Sequence, residues 1–183
     1  SSMTSPCIHA SPPERNETDP GKCFNLTVSE VTSVLHDLNV KYLDLLMLHG
    51  PSEAFGHIGP CSPLACKLNR AQWAAYQTFL HSGEVRAIGV SNFCQSCLAC
   101  LEDDNSAGMA SVTPAVNQIQ VHVGQGSADP GPGLLSFCKE RGIVVQSYEP
   151  LAGGELVTDA ACADVGRKHN KSAAQVALHW VLQ

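Results

Sequence analysis

A chain of 183 residues, 44% hydrophobic and 15% charged, can bury one sizeable core and lies far from the composition of disordered chains. A net charge of -6 with no run of Lys or Arg gives phosphate backbones and anionic membranes nothing to hold, so no nucleic-acid or membrane partner is expected. No apolar stretch approaches the roughly 20 residues that span a bilayer and no basic-then-apolar leader opens the sequence, so the reading is a cytoplasmic protein with a small-molecule ligand.

In chain order, residues 1–26 hold Pro6, Pro12, Pro13, Pro20 and Gly21 among polar residues and read as an irregular or disordered N-terminal segment. Residues 27–183 read as one folded domain. Thr27 and Glu30 stand at capping-box spacing, and Val28, Val31, Val34, Leu35 and Leu38 recur at helical intervals, which predicts a helix over about 28–38. Val40 to His49 carries a nearly continuous apolar run of strand length. The unit then repeats: helix 70–81, strand 85–90, helix 95–101, strand 115–121, helix 133–140 and strand 143–148. Helices over 159–169 and 172–182 close the pattern, the second opened by Ser172 with Gln175 at capping-box spacing. Between the first strand and its helix, residues 50–69 form a long loop rich in Pro and Gly, a length that usually marks function or disorder.

Alternating short buried strands and helices imply right-handed βα units and a parallel sheet, either doubly wound or closed. The polar residues favour the barrel. His49, Ser91 and Asn92, Gln118 and His122, and Tyr148 and Glu149 all fall at or near strand C-terminal ends, the rim on which (β/α)8 barrels build their sites. The expected fold is therefore α/β, a partial (β/α)8 TIM barrel with about four clear βα units and flanking helices.

Five segments resemble the aldo-keto reductase family. Tyr42–Pro51 is similar to its strand YLDL-x-x-x-H-x-P, and Gly83–Phe93 to GKVRAIGVSNF. Pro114–Gln118 with His122 resembles P-x-VNQ-x-x-x-H, Tyr148–Leu151 with Gly153 and Gly154 resembles YSPLGGG, and Lys171–Gln183 resembles KS-x-AQVALRWVLQ. The resemblance implies an oxidoreductase that passes a hydride from NADPH, with NADH possible, to an aldehyde or ketone. By the same resemblance His49 is the catalytic hydrogen-bond donor to the carbonyl oxygen. Ser91, Asn92 and Gln118 hold the nicotinamide carboxamide, Tyr148 stacks on its ring, and Leu151 gives an apolar cofactor contact. Such roles suit these side chains: amides and hydroxyls match a carboxamide's donor and acceptor ends, and a tyrosine face buries a flat ring.

The sequence also departs from the family. Glu149 stands where a serine is usual, a change that could repel a pyrophosphate nearby. The family's proton-donating tyrosine and its aspartate belong to strands expected before residue 1, and its lysine to the end of the strand before the first helix, yet the earliest lysine is Lys22. The basic loop that grips a 2'-phosphate would follow Gln183. The expectation is a truncated chain, weak or inactive alone, with open sheet edges. Two alternatives are a catalytically dead binding or scaffold fragment of the family and a thiol-rich metal-binding module. The latter rests on Cys94, Cys97 and Cys100 at C-x-x-C-x-x-C spacing, with Cys61 and Cys66 able to add a ligand. Against it, the odd count of nine cysteines is read as reduced thiols, with no disulfide framework and no metal site. The sequence leaves the oligomeric state open.

Overall fold

The computed structural model describes residues 2–4, 7, 17–53, 60–102, 111–125 and 133–183. Five strands, β1 (Ser2–Thr4), β2 (Leu46–Leu48), β3 (Ile88–Ser91), β4 (Val116–Gln120) and β5 (Val144–Tyr148), form one sheet. Every neighbouring pair is parallel and the order follows the sequence. A doubly wound sheet reverses its strand order at a switch point. This one does not, and sequential parallel strands alternating with helices are one arc of a (β/α)8 barrel.

Helices α1 (Pro20–Asp37), α2 (Pro63–Ser82), α3 (Gln95–Glu102) and α4 (Leu134–Glu140) link the strands. A 3-10 segment (Ala152–Val157), α5 (Ala160–His169) and α6 (Ala173–Val181) follow β5. All three residues of β2 and all four of β3 are buried, as a parallel sheet covered on both faces requires. Leu46, Leu48, Ile88 and Val90 pack with Trp73, Tyr76, Phe93, Leu98 and Phe137 in the main core. Two polar tips in that core reach backbone carbonyls: Trp73 Nε1 donates to Val112 O at 2.9 Å and Tyr76 Oη to Met47 O at 3.1 Å. A smaller cluster of Leu156, Cys162, Ala173 and Ala177 joins the 3-10 segment to α5 and α6. Among the described residues no helix is long and apolar enough to cross a membrane.

Several elements differ from the sequence reading. The helix expected from 28 begins at Pro20, because Asp19 is its N-cap, accepting from Gly21 N at 2.8 Å and Lys22 N at 3.2 Å, and proline suits the first helical turn. Thr27 is therefore inside α1, not at its start, and its hydroxyl donates back to Cys23 O at 2.8 Å. Ser2–Thr4 form a strand, so the stretch expected to be irregular contributes both β1 and the start of α1; residues 1, 5, 6 and 8–16 lie outside the described residues. In the same way the long loop expected to reach 69 ends at Ser62, which caps a helix starting at Pro63, and 54–59 of that loop lie outside the described residues. Both prolines read as breakers act as helix starters. The capping box at Ser172 and Gln175 is present as expected.

The cysteines also differ. Disulfides join Cys7 to Cys23, Cys61 to Cys97 and Cys66 to Cys100, with Cα separations of 5.9, 5.1 and 5.4 Å, while Cys94, Cys138 and Cys162 remain thiols. The odd count concealed three pairs because the three remaining thiols belong to the packed interior and its margin.

Candidate functional site

The expected rim residues meet around Asn92. After β3 ends, the chain turns at Asn92 with φ 59°, a left-handed conformation that Asn adopts more readily than most residues. Its backbone N–H still donates to Gln118 O at 2.8 Å, which keeps the turn tied to β4. The side-chain Nδ2 donates to His49 O at 2.9 Å and to Ser91 Oγ at 3.2 Å. Its Oδ1 accepts from Tyr148 Oη at 3.0 Å. One amide thus connects the ends of β2, β3 and β5.

Two further contacts fix β4 within the same group. Ser91, buried, donates its hydroxyl to Gln118 O at 2.9 Å. Gln118 Nε2 donates to Gln146 Oε1 at 3.0 Å. The latter pair are direct cross-strand partners in the β4–β5 register, so their side chains emerge on one face. Asn117 points the other way: fully buried, it donates from Nδ2 to Phe93 O at 2.9 Å and accepts from Phe93 N at 3.4 Å. Asn117 therefore holds the residue after Asn92 by both backbone groups.

Burial, and then the Glu149 carboxylate, push the Tyr148 phenol above its usual pKa, so it stays a neutral donor to Asn92. Glu149 itself, at φ 50°, accepts from Gln120 Nε2 at 3.1 Å, the side chain of the strand end beside it. His49 follows β2 directly and its imidazole is exposed. Leu151 packs instead with the second apolar cluster, three residues beyond the end of β5.

Of the expected site residues, Ser91, Asn92, Gln118 and Tyr148 are joined in one hydrogen-bonded group that holds His49 by its backbone carbonyl and not by its imidazole, and Leu151 is outside it. Sequence reasoning missed Gln146, Asn117 and the Tyr148 hydroxyl contact. Gln146 was legible: two residues before Tyr148, it must share that strand's face. The Tyr148 contact spans 56 positions and has no local signal.

The group is suited to a flat amide-bearing ring. Gln118 spends one N–H on Gln146, and among the described residues its other N–H and its amide oxygen have no partner. Those are the complementary groups a carboxamide needs. The lysine that the resemblance places at the end of the strand before the first helix is not there in the sequence: β1 occupies that strand position, and Ser5, Pro6 and Cys7 follow it.

A sequence model of the aldo/keto reductase family matches residues 26–183. The uncharacterized oxidoreductase YtbE of Bacillus subtilis is 32% identical over 160 residues, 87% of this chain and 49% of that protein. The glyoxal reductase of the same bacterium is 31% identical over 160 residues, 87% of this chain and 50% of that protein. The crystal structure of an aldo/keto reductase from Brucella melitensis superposes with a TM-score of 0.68 at 28% identity, covering 87% of this chain and 53% of that one. The chain spans about half the length of the curated relatives it matches. With the family match running through the whole hydrogen-bonded rim, the chain belongs to the aldo/keto reductase family and folds as part of its (β/α)8 barrel.

Proposed function

We propose that the Asn92-centred rim is the nicotinamide end of a carbonyl reductase site, using NADPH, with NADH as the alternative, to reduce an aldehyde or ketone. The observation that carries this reading is that a single amide draws the ends of β2, β3 and β5 together beside the available amide of Gln118. Gln118 and the second lone pair of Asn92 Oδ1 pair with the carboxamide. Ser91, buried beneath them, holds Asn92 and Gln118 in register. Tyr148 offers a ring face whose tilt is set by its hydroxyl bond to Asn92. A reduced nicotinamide held there supplies the hydride.

His49 donates to the substrate oxygen as negative charge develops on it, and one such preorganised donor is worth roughly 3–4 kcal/mol. Leu151, beyond the rim group on the second apolar cluster, would give a bound cofactor an apolar contact away from the nicotinamide. The family's proton donor is a tyrosine made acidic by a lysine at the end of the strand before the first helix, and here no lysine precedes Lys22 to tune such a donor. Absence of a tuned donor lowers the rate by about 10² to 10⁴, so this chain alone turns over slowly. That same lysine-free strand end favours a second reading, a family member that binds the cofactor without reducing a carbonyl.

The test is NADPH oxidation by the purified chain with a simple aromatic aldehyde, and with glyoxal, since one relative is named for that substrate. Slow turnover that His49→Ala lowers a further 10² to 10³-fold, roughly, supports the reductase. NADPH binding without turnover supports the second reading, and no binding overturns both.

A further inference from the structure

We propose that Cys61, Cys66, Cys97 and Cys100, when reduced, form a tetrathiolate zinc site that clamps α2 to α3, and that the two disulfides are its oxidised, metal-free state. The site lies on the helical layer and is independent of the cofactor reading. Cys61 and Cys66 flank the start of α2 at C-x4-C spacing, and Cys97 and Cys100 sit on α3 at C-x2-C spacing. Paired short spacings of this kind on two separate elements are the pattern of structural zinc sites. The sequence motif C-x-x-C-x-x-C is thus split. Its last two cysteines join the cluster, while the Cys94 sulfur contacts Ser96 Oγ at 3.2 Å.

Geometry supports a single metal ion. The sulfurs of Cys61, Cys66 and Cys100 lie within 4.8 Å of one another, and the Cys97 sulfur is bonded to that of Cys61. Zinc with Zn–S near 2.3 Å holds its sulfurs about 3.8 Å apart. Cys97 and Cys100 are buried and Cys61 and Cys66 half-buried, so a bound ion would be largely shielded from water.

The surroundings also suit thiolates better than a disulfide. Asn69, fully buried, donates from Nδ2 to Cys61 Sγ at 3.3 Å, and its Oδ1 is fixed by Ser52 N at 2.7 Å. A positioned N–H donor strengthens with negative charge on sulfur, the role that outer groups play around metal ligands. Cys66 and Cys97 lie in the first turns of their helices, where the macrodipole favours anionic charge. The chemistry balances. A thiol reductant converts the two disulfides to four protein thiols, forming two small disulfides from four reductant thiols. Zn²⁺ then displaces four protons to give a site of charge -2.

The experiment uses the full chain, reduced anaerobically with a phosphine, then freed of reductant and titrated with Co²⁺. The expected result is the visible absorption of tetrahedral sulfur-coordinated cobalt, saturating at about one ion per chain and displaced by Zn²⁺. Cys94→Ser keeps this spectrum, Cys66→Ser loses it, and Asn69→Ala weakens binding about 10 to 100-fold. Thermal melting by circular dichroism gives an independent reading: Zn²⁺ raises the melting temperature of the reduced chain and of reduced Cys94→Ser, but not of reduced Cys66→Ser. A reduced chain that shows no tetrahedral thiolate spectrum, one that loses it on Cys94→Ser, or one whose melting ignores Zn²⁺ would overturn the proposal and leave the cysteines as disulfide staples only.

Discussion

The Tyr148 hydroxyl donates to Asn92 Oδ1 at 3.0 Å, which ties the last strand of the sheet to the turn after β3, 56 residues earlier. Removing the hydroxyl in Tyr148→Phe keeps the ring but releases its tilt, a loss of about 1 kcal/mol for a half-exposed neutral bond. Asn92→Ala removes all three side-chain bonds and leaves a β-carbon at φ 59° without local hydrogen-bond support, which costs more. Asn92→Gly separates the two effects, since glycine accepts the backbone but restores no bonds. The expected order of urea midpoints is wild type, Tyr148→Phe, Asn92→Gly, then Asn92→Ala lowest. Equal midpoints for the last two would show that the backbone is not strained there.

Titration provides a check of sign. Burial, and then Glu149, raise the Tyr148 pKa above its unfolded value, so its share of stability is present below about pH 10 and is lost as pH rises through the folded value. Asp159 behaves in the opposite sense. It caps α5, accepting from Cys162 N at 2.7 Å, and the Cys162 backbone bond foremost holds its pKa below the usual value. Its contribution is present above about pH 4 and disappears as pH falls through the folded value. Asp159→Asn retains a capping oxygen without the titration, so its melting temperature should fall less than wild type's between about pH 6 and pH 3. A parallel fall in both proteins counts against the carboxylate cap.

Gly89 in β3 has no room for a side chain between the neighbouring strands. A β-carbon there would meet Val116 O at 2.9 Å, Met47 Cγ at 3.2 Å and Val116 Cβ at 3.3 Å, so any side chain forces β3 away from β4. Gly89→Ala is expected to lower stability by about 1–3 kcal/mol, as overpacked cores do. Chemical denaturation should give a reduced midpoint with an unchanged slope. A variant as stable as wild type would mean that the strands can separate without cost.

Much of this architecture was legible because helical and strand periodicity are properties of short windows. Strands β2 to β5 and the helices between them follow from runs such as Leu43–Leu48 and the capping pair Ser172 and Gln175. What escaped depended on context. Pro20 and Pro63 start helices because Asp19 and Ser62 cap them, whereas proline alone reads as a breaker. A three-residue strand such as β1 has too few positions to show a pattern, and it is defined by pairing with β2. The rim residues were legible as a set through motifs at strand ends, but the bonds joining them cross between strands far apart in sequence. The cysteine pairs likewise connect separations of 16, 36 and 34 residues that no local spacing encodes.

The most direct test of the nicotinamide site is titration of the chain with NADPH, followed by energy transfer from Trp73 and Trp180 to the bound nicotinamide. The account predicts a saturable signal that weakens in Asn92→Ala and in Tyr148→Ala, with circular dichroism unchanged in both. No saturable signal, or one that neither substitution alters, would contradict it.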